Sequence, residues 1–598
     1  MVLCGSLCAP VVACRRTEAT REEAAENASA VVDESAAEDV SRTKFPLQGT
    51  DEASVRSTRA SQVLGVARAA APTTPTTPTP GATSVNAGGA SDARRTADVF
   101  FTTSVDGYIE PCGCTTRPLG GLQRLATVVR RGAPARGLID AGNLLFPSSK
   151  ILPETRAQHR LKASLLVRAY QQLGALAINF SEGELVEGAE FLSELQHDGA
   201  VRFVSANVRP IRREGGPSVA RSFLHDVGGI KIGVTGVSTP ERVAATGARV
   251  SVIEYAPPLS AEVNALRARG AEVVLVLANI GDKAARTLAT SVPGIDVLVR
   301  SPGSAIEFPV SAPERVAGVL IVEAGSQGQY VGRLSIHWGA EAPPRPFVFD
   351  DGALVGAKQR AMIERRLKAY AVEIEAWAKD PAKAEAVRGR RAQMARLQAS
   401  LNSGLKSAAP PPTGPYIGID VIPLGTEVPA DPTLVQMLRG YYDQLQALNL
   451  EKGDQALCKP TKDSPAVYVG SEVCQSCHEE AFAFWKTTKH ARAWATLEDE
   501  GKHFDLTCIG CHTVGYRKPG GFCRLKDLGV LKDVGCENCH GPGSLHVGDQ
   551  KAESITLETT KSTCDGHCHV PEHSDGFAYE EYLSRITGPG HQRRPRAP

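Results

Sequence analysis

The chain lacks two features that point to common classes of protein: a long apolar run and an excess of charge of one sign. A membrane-spanning helix needs about 18 or more apolar residues in succession, and no run beyond the N-terminus approaches that length. The 67 lysines and arginines nearly equal the 66 aspartates and glutamates. Because the charges balance, we expect no basic field that would attract nucleic acid or an anionic membrane surface.

Apolar side chains are scarce over residues 15–97, where Ala, Glu, Ser, Thr and Pro predominate and a Pro/Thr run occupies 71–80. Such a composition buries too little apolar surface to offset the entropy lost on ordering. We therefore predict a disordered tether over 15–97. The remaining length still exceeds what a single hydrophobic core holds, so we expect at least two domains.

The first 14 residues are apolar and end in Val-Val-Ala-Cys. They resemble the signal peptide and lipobox of bacterial lipoproteins, in which the cysteine that matches Cys14 becomes the acylated N-terminus. The resemblance implies a possible lipid anchor at Cys14 and a location in the periplasm or cell envelope. A misassigned start codon is the alternative, because a signal peptide normally opens with Lys or Arg and this segment does not.

Residues 98–345 alternate short β-branched runs with helical patterns. The strand-like runs lie at 137–139, 201–205, 230–237 and 273–277, and residues 154–173 have helical periodicity. Alternation of this kind is typical of an α/β domain. Residues 356–404 predict a helical hairpin that breaks near Asp380-Pro381, and 405–455 predict a connector with one helix over 432–448.

Cysteine and histidine concentrate in the last part of the chain, residues 456–598. Ten of the 15 cysteines lie between Cys458 and Cys568, and ten of the 14 histidines lie between His478 and His591. Three copies of Cys-x-x-Cys-His occur there: Cys474, Cys477 and His478; Cys508, Cys511 and His512; and Cys536, Cys539 and His540.

The spacing of this motif has a chemical reason. Two thiols separated by two residues can bond to the two vinyl groups of one porphyrin, and the histidine that follows then becomes an axial ligand of the iron. A zinc site is the alternative, but zinc would take four ligands from two cysteine pairs and would need no histidine after each pair. The motifs therefore predict three haem c groups in a mostly α-helical, haem-packed domain.

A fourth candidate site has one extra residue between its thiols. It consists of Cys564, Cys568 and His569. The second cysteine is still followed directly by histidine, but the longer loop must bulge to bring both sulfurs to one porphyrin. We predict a fourth haem here, and a decayed site is the alternative.

Each iron also offers a sixth position, which a second histidine fills where electron transfer alone is required. The spare histidines in this part of the chain are His490, His503, His546, His567, His573 and His591. A lone histidine is more often a surface residue than a ligand. The enrichment beside the motifs nevertheless favours His490 and His546 as ligands.

Four stretches, 473–478, 489–493, 536–546 and 571–574, resemble the tetrahaem cytochrome c family that relays electrons from hydroxylamine oxidation in nitrifying bacteria. The resemblance covers about a quarter of the chain. It implies that His490 and His546 are distal axial ligands and that the haem on His512 is five-coordinate. Cys458 and Cys523 match no motif, so they form either a disulfide or two buried thiols.

The stretches 204–207, 232–236, 239–240, 293–296 and 328–334 resemble the metallophosphoesterase domain of bacterial periplasmic 5′-nucleotidases and UDP-sugar hydrolases. The resemblance implies a two-sheet α/β sandwich over 98–345. In that family, Asp, His and Asn ligands hold two metal ions that polarise the phosphoryl group and ionise a water.

The metal ligands are missing at the matching positions of this chain. The stretches there are 104–107, 142–143, 180–183, 278–281 and 300–303, and none contains a histidine. We therefore expect a lobe without phosphatase activity that serves as a docking module. Cys112 and Cys114, near the former active-site mouth, form either a redox-active or metal-binding pair or, as we favour, a structural disulfide or packed thiols.

The sequence thus predicts a periplasmic or cell-envelope electron carrier with three or four haems. The expected partners are redox proteins or a membrane quinone or cytochrome complex, and the oligomeric state stays open. A redox enzyme acting on a small nitrogen oxide at the open iron is one alternative. A nucleotide phosphohydrolase fused to a cytochrome is another, and the missing ligands argue against it.

Overall fold

The computed structural model describes the chain from Arg95 onward, with gaps. The described residues are 95–111, 118–146, 151–197, 202–211, 216–303, 311–339, 346–350, 366–368, 370–378, 383–403, 415–570, 574 and 576–591. The predicted lipobox with Cys14, residues 15–94 of the predicted tether, Cys112, Cys114 and His573 lie outside these ranges. All described residues belong to one compact unit.

Sixteen strands in the described residues form two large sheets and a two-stranded ribbon. The strands are β1 Arg95–Thr102, β2 Arg136–Asp140, β3 Ala175–Asn179, β4 Phe203–Val204, β5 Val208–Pro210, β6 Val219–Ala220, β7 Ser222–Val227, β8 Ile230–Ser238, β9 Val250–Val252, β10 Val273–Asn279, β11 Val297–Ser301, β12 Glu314–Val316, β13 Val319–Val322, β14 Tyr330–Trp338, β15 Val348–Asp350 and β16 Tyr416–Pro423. One sheet has the order β15-β16-β14-β1-β2-β3-β4-β6, the other β12-β13-β11-β10-β8-β7, and β5 pairs with β9.

The two large sheets face each other across a shared apolar core. Strand β10 is buried along its whole length, and because successive side chains of a strand point to opposite faces, it contributes to two clusters. Val273 and Leu275 join the core between the sheets, together with Phe101 of β1. Val274 packs on the opposite face, among helical residues. A strand buried on both faces needs a continuous apolar run, and β10 has one.

Helices cover the outer face of each sheet in this lobe. They are α1 Leu122–Arg130, α2 Arg156–Gln172, α3 Gly188–His197, α4 Pro240–Ala245, α5 Ala256–Ala268 and α6 Asp282–Ser291. Residues of α1, α2 and α3 pack against the eight-stranded sheet, and residues of α5 and α6 pack against the six-stranded sheet. The lobe is therefore the predicted two-sheet α/β sandwich.

The lobe extends beyond the segment expected from the sequence. Strand β1 begins at Arg95, inside the predicted tether, and β16 lies in the predicted connector but pairs with β14 of the eight-stranded sheet. The predicted helix of the connector is α8, Pro432–Asn449, which packs its buried face into the core of the lobe through Leu434 and Leu438. The connector is thus part of the lobe.

The predicted hairpin contains two helical segments, residues 370–377 and α7 Ala384–Ser403. They contact each other through Arg390, which pairs with Glu373 at 2.6 Å and lies over the ring of Tyr370 at 4.2 Å.

The C-terminal part consists of short helices around a small apolar cluster. The helices are α9 Glu479–Lys486, α10 Ala493–Asp499, α11 Leu506–His512, α12 Cys536–His540, α13 Ser544–Asp549, α14 Lys561–Asp565 and α15 Tyr579–Ile586. Trp494, Ile509 and Phe522 are members of the cluster. Cys458 and Cys523 form a disulfide, which decides between the two alternatives left by the sequence. In the described residues, no helix is both long and apolar enough to cross a membrane.

Candidate haem sites and the centre of the N-terminal lobe

The second and third haem motifs lie on short helices, which puts their functional side chains on one face. Helix α11 carries Cys508, Cys511 and His512, and helix α12 carries the third motif from its first residue to its last. Residues three and four positions apart are neighbours on a helix surface. Both thiols and the histidine of one motif can therefore reach the same porphyrin.

The first and fourth motifs have less regular backbones. Cys474 lies in a 3-10 turn, Ser471–Ser476. In the fourth motif Cys564 lies on α14, and the chain closes back on it because the amides of Cys568 and His569 both donate to its carbonyl, at 3.3 and 2.9 Å. These two bonds accommodate the extra residue as a bulge of the loop.

Two pairs of histidine rings have the separation that one iron between them requires. An iron bonded to both imidazoles at about 2 Å places the ring centroids roughly 6 Å apart. The rings of His478 and His546 are 6.1 Å apart, and those of His490 and His569 are 6.2 Å apart. The structure therefore brings the two distal histidines expected from the sequence to the first and fourth motifs.

Hydrogen bonds fix the orientation of several of these rings. Nδ1 lies 2.6 Å from the Ala493 carbonyl in His512, 2.8 Å from that of Thr556 in His540, and 2.8 Å from that of Lys551 in His546. A carbonyl can only accept, so each Nδ1 carries the proton. The opposite nitrogen, Nε2, is then left as the metal-binding atom.

Burial favours the neutral form of two of the axial candidates, which is the form that binds a metal. The pKa of His490 is lowered by burial and then by the neighbouring His569. Burial also lowers the pKa of His569.

His591 was not singled out from the sequence, and the structure brings it near the third motif. Burial lowers its pKa first, and the charge of His540 lowers it further. Its ring also contacts Phe484 at 6.4 Å. His591 lies 51 positions after His540 with no motif around it, so only the fold could reveal this proximity.

The second and third motifs differ from the first and fourth. Among the described residues, no second histidine ring contacts that of His512 or that of His540, and the spare His503 contacts Trp494 and Phe504 instead. His567, the spare histidine inside the fourth motif, lies 3.5 Å from the position that a Cβ of Gly510 would take. The bulge of the fourth motif therefore packs on the second.

Cysteine thiols of different motifs lie close together. Cys474 hydrogen-bonds to Cys536, which raises the pKa of the former and lowers that of the latter to about 7. Cys568 likewise forms a hydrogen bond with Cys511, and this hydrogen bond and burial raise the pKa of Cys568. Burial, followed by the charge of Cys564, raises the pKa of Cys539 to about 11. The motifs therefore neighbour one another in the order second, fourth, third, first.

A buried carboxylate that sequence reasoning missed ties the third motif to the chain before the first. Glu537 is 2% exposed and accepts hydrogen bonds from the amides of Val469, Gly470 and Gly543, at distances from 2.7 to 3.1 Å. Such charge-assisted bonds are short and strong. Its place between the two cysteines of a motif gave no sign of this role.

In the N-terminal lobe, the five stretches that match phosphoesterase ligand positions meet at one end of the two sheets. The Ser104 hydroxyl lies 2.8 Å from that of Ser301, which donates to the Gly142 carbonyl at 3.1 Å. Asn143 donates to Glu182 at 3.4 Å. Ser104 and Asn143 keep left-handed backbone angles, φ 44° and 59°, which cost energy for residues other than glycine.

An arginine lies among these side chains. Arg242 donates to Asn279 at 3.3 Å and pairs with Glu182 at 3.7 Å. Burial raises the pKa of Glu182, and Arg242 opposes this shift. In the described part of the chain, no group of three or more His, Cys, Asp or Glu side chains could hold a metal ion.

Comparison with known proteins identifies the C-terminal segment. Residues 473–541 match the family described as cytochrome c554 and c-prime. Cytochrome c-554 of Nitrosomonas europaea is 33% identical over 108 residues, which cover 16% of this chain and 46% of that protein. The chain thus spans less than half the length of that relative. The match indicates covalently bound haem c with its iron, and haem-based electron transfer.

Solved structures overlap with both parts of the chain. The 5′-nucleotidase precursor of Thermus thermophilus has a TM-score of 0.41 and 17% identity, and the overlap covers 60% of this chain and 61% of that one. Reduced cytochrome c554 of Nitrosomonas europaea has a TM-score of 0.18 and 24% identity, covering 20% and 82%. Both TM-scores are low. The two-sheet sandwich is therefore assigned from the strands and helices of this chain.

Proposed function

We propose that residues 456–598 bind four c-type haems and conduct electrons along them in the periplasm or cell envelope. The observation that carries the proposal is the separation of the two histidine pairs, 6.1 Å for His478 and His546 and 6.2 Å for His490 and His569. Two unrelated pairs with the same metal-spanning separation, each with one member in a haem motif, are hard to explain by packing alone.

Four sets of side chains would hold the haems. The sets are Cys474, Cys477, His478 and His546; Cys508, Cys511 and His512; Cys536, Cys539, His540 and His591; and Cys564, Cys568, His569 and His490. The eight cysteines of these sets form no disulfide with one another, which leaves their thiols available for the porphyrins. When bound, haem c supplies one-electron exchange between ferric and ferrous iron.

The thiol contacts support an electron path with a defined order. They relate the second motif to the fourth, the fourth to the third, and the third to the first. Neighbouring porphyrins attached to such thiols would have their edges close together. The two ends of the path would then be the second motif, beside the N-terminal lobe, and the first motif, where Cys477 is exposed.

The disulfide between Cys458 and Cys523 supports a location outside the cytoplasm, because disulfides persist in oxidising compartments and are rare in the cytosol.

The partners we propose are redox proteins or a membrane quinone or cytochrome complex, with a lipid anchor at Cys14. The lobe would then serve as an interaction module, since serines and asparagines stand at positions of the phosphoesterase metal ligands and Arg242 lies among them.

A second function is favoured by the surroundings of His512, since no other histidine ring in the described residues contacts it. An iron held there by one histidine could bind a small molecule such as a nitrogen oxide. The protein would then be a redox enzyme, and the other three haems would supply or remove electrons.

Mass spectrometry of protein matured in a host that attaches haem c tests the haem count. We expect an intact mass with four haems and four haem-bearing peptides, one for each motif. The Cys568→Ser variant should lose one of the two thioether bonds of the fourth haem only. A protein without covalent haem would overturn the proposal, and three haems with an unmodified 564–569 peptide would reduce the path to three sites.

A further inference from the structure

A buried polar junction joins the N-terminal lobe to the helix that carries the second haem motif. Gln158 of α2 donates to the Asp505 carboxylate at 2.5 Å and accepts from the amide of Leu506 at 3.0 Å. The same Gln158 oxygen accepts from Asn449 of α8 at 2.9 Å, and Asn449 also donates to the Phe504 carbonyl at 2.9 Å. These five residues are called the Gln158 junction below.

The junction is closed to solvent. Gln158 and Asn449 are 0% exposed and Asp505 is 7% exposed. The Phe504 side chain packs against the core of the lobe beside it. A buried polar group that loses its partner bears the full cost of desolvation. Gln158 therefore holds the start of α11 in one position relative to the lobe.

Asp505 connects this junction to the haem motif. It is the N-cap of α11, and its Oδ1 accepts from the Thr507 amide at 2.9 Å while it also accepts from Gln158. Helix α11 has two turns and ends at His512. A shift at the N-cap of so short a helix would therefore be transmitted to both cysteines and to the axial histidine.

The junction also holds a charge beside the motif. Burial alone would raise the pKa of Asp505, but Lys162 of α2 and the hydrogen bonds from Thr507 and Gln158 outweigh it, so the pKa is lowered. The backbone carbonyl of Asp505 accepts from the amide of Cys508 at 2.9 Å. The carboxylate therefore belongs to a residue in direct contact with this attachment site.

A further contact holds the lobe against the same region. Glu110 of the lobe pairs with Lys502 at 3.5 Å, and within the lobe it accepts from the Tyr442 hydroxyl of α8. Tyr441 is 1% exposed, and its pKa is raised by burial first and then by the neighbouring charge of Asp505. The second motif is therefore bordered by side chains of α2 and α8, which belong to the lobe.

We infer that the lobe is a built-in part of the second haem site, with Gln158 as a positioning residue that acts on the haem at His512 through Asp505. This inference rests on the proposed function, because it requires a haem at Cys508 and Cys511. Gln158 orients helix α11, which carries the axial His512. By donating a hydrogen bond to Asp505, it also offsets part of the negative charge of that carboxylate. A negative charge near a haem stabilises the ferric form and lowers the midpoint potential.

Two substitutions therefore have opposite expected effects on one haem. Gln158→Met keeps the length of the side chain but removes the donor to Asp505, so the midpoint potential of the second haem should fall. Asp505→Asn removes the charge and retains an oxygen that can cap Thr507, so the potential should rise. Potentiometric titration of the full-length holoprotein measures both shifts, and the other three haems should keep their potentials.

Cyanide binding provides a second measurement. Loss of a residue that supports a metal ligand typically changes metal-site properties by about tenfold or more, and we expect a change of about tenfold in cyanide affinity for Gln158→Met. The matched control is Gln196→Met. Gln196 bridges the backbone of Ser218 within the lobe, at 2.9 and 2.7 Å, and this variant should match the unsubstituted protein.

The outcomes separate the inference from the proposed function. If the 508–512 peptide carries haem and both variants leave the potentials and cyanide affinity unchanged, the inference is wrong. If both variants shift the potential in the same direction, Gln158 acts only as a structural support, and the inference is also wrong. A 508–512 peptide without haem would overturn the proposed function instead. If Gln158→Met does not fold, the Asp505→Asn shift decides alone, a rise supporting the inference and any other result overturning it.

Discussion

At the scale of single residues, the axial histidines are defined by two independent features. One is the separation of paired rings, and the other is a backbone carbonyl at Nδ1, which His546 has at 2.8 Å from Lys551. A histidine held in this way presents Nε2 to the metal without having to reorganise. His546 is therefore the residue at which the axial arrangement is most directly tested.

We expect His546→Met to raise the midpoint potential of the first haem and leave the haem count unchanged. Methionine is a weaker donor to ferric iron than histidine and raises the potential. The shift should be on the order of 100 mV, well within the span of about 0.8 V that axial ligands cover. Redox titration followed by visible absorption measures it.

The matched control for this prediction is His225→Met. His225 lies in β7 of the lobe, where its ring contacts Phe223 at 5.7 Å. Its replacement should leave all four potentials in place. An unchanged first haem in the His546→Met variant would remove His546 from the axial set.

At the scale of elements, helix α8 makes contacts with other parts of the chain at both of its ends. Its N-cap Asp431 accepts from the amides of Thr433 and Leu434, at 3.0 and 3.1 Å, and also pairs with Arg130 of α1. The last residue of the helix, Asn449, belongs to the Gln158 junction. One helix thus connects the core of the lobe to the second haem motif.

Asp431→Ala should lower the free energy of unfolding by about 1 to 2 kcal/mol, the usual cost of losing an N-cap. Thermal unfolding followed by circular dichroism measures the change. Asp443→Ala, at an exposed position of the same helix, is the control and should have little effect. Equal stability of the two variants would contradict the role of Asp431.

Sequence patterns predicted elements well where a local signal was strong. The continuous apolar run of β10 and the helical periodicity of α2 gave both elements within a few residues. Strand β16 was missed, because its partner β14 lies about 80 residues earlier in the chain and pairing at that distance leaves no local pattern. His591 was left among the spare histidines for the same reason.

The haem motifs could be recognised in the sequence because covalent chemistry fixes their spacing, whatever the surrounding fold. The Gln158 junction could not be recognised, since a buried glutamine on an amphipathic helix looks like any polar residue in the sequence. Its partner Asp505 lies 347 positions away. Only the docking of the lobe on α11 gives Gln158 its partners.

At the scale of the whole molecule, the disulfide between Cys458 and Cys523 closes a loop that contains the first and second motifs. Cross-linking residues 65 positions apart restricts the unfolded chain. A double Cys458→Ser, Cys523→Ser variant should therefore lose about 2 to 5 kcal/mol of stability. Thermal unfolding of the variant and of the unsubstituted holoprotein measures the loss.

Reduction offers a check on that prediction. A thiol reductant should lower the melting temperature of the unsubstituted protein and leave that of the double variant unchanged, because thioether bonds to haem resist such reductants. Equal melting temperatures for the variant and the unsubstituted protein would show that this disulfide contributes little.

The lobe and the C-terminal segment belong to one compact unit, in which a two-sheet sandwich borders one end of the proposed electron path. Fold alone does not give function, and the central claim is that this unit carries electrons on four haems. A coulometric reductive titration of the full-length holoprotein, followed by visible absorption, tests it most directly. The account predicts four electrons per chain with haem spectral changes throughout, and uptake of no electrons by haem would contradict it.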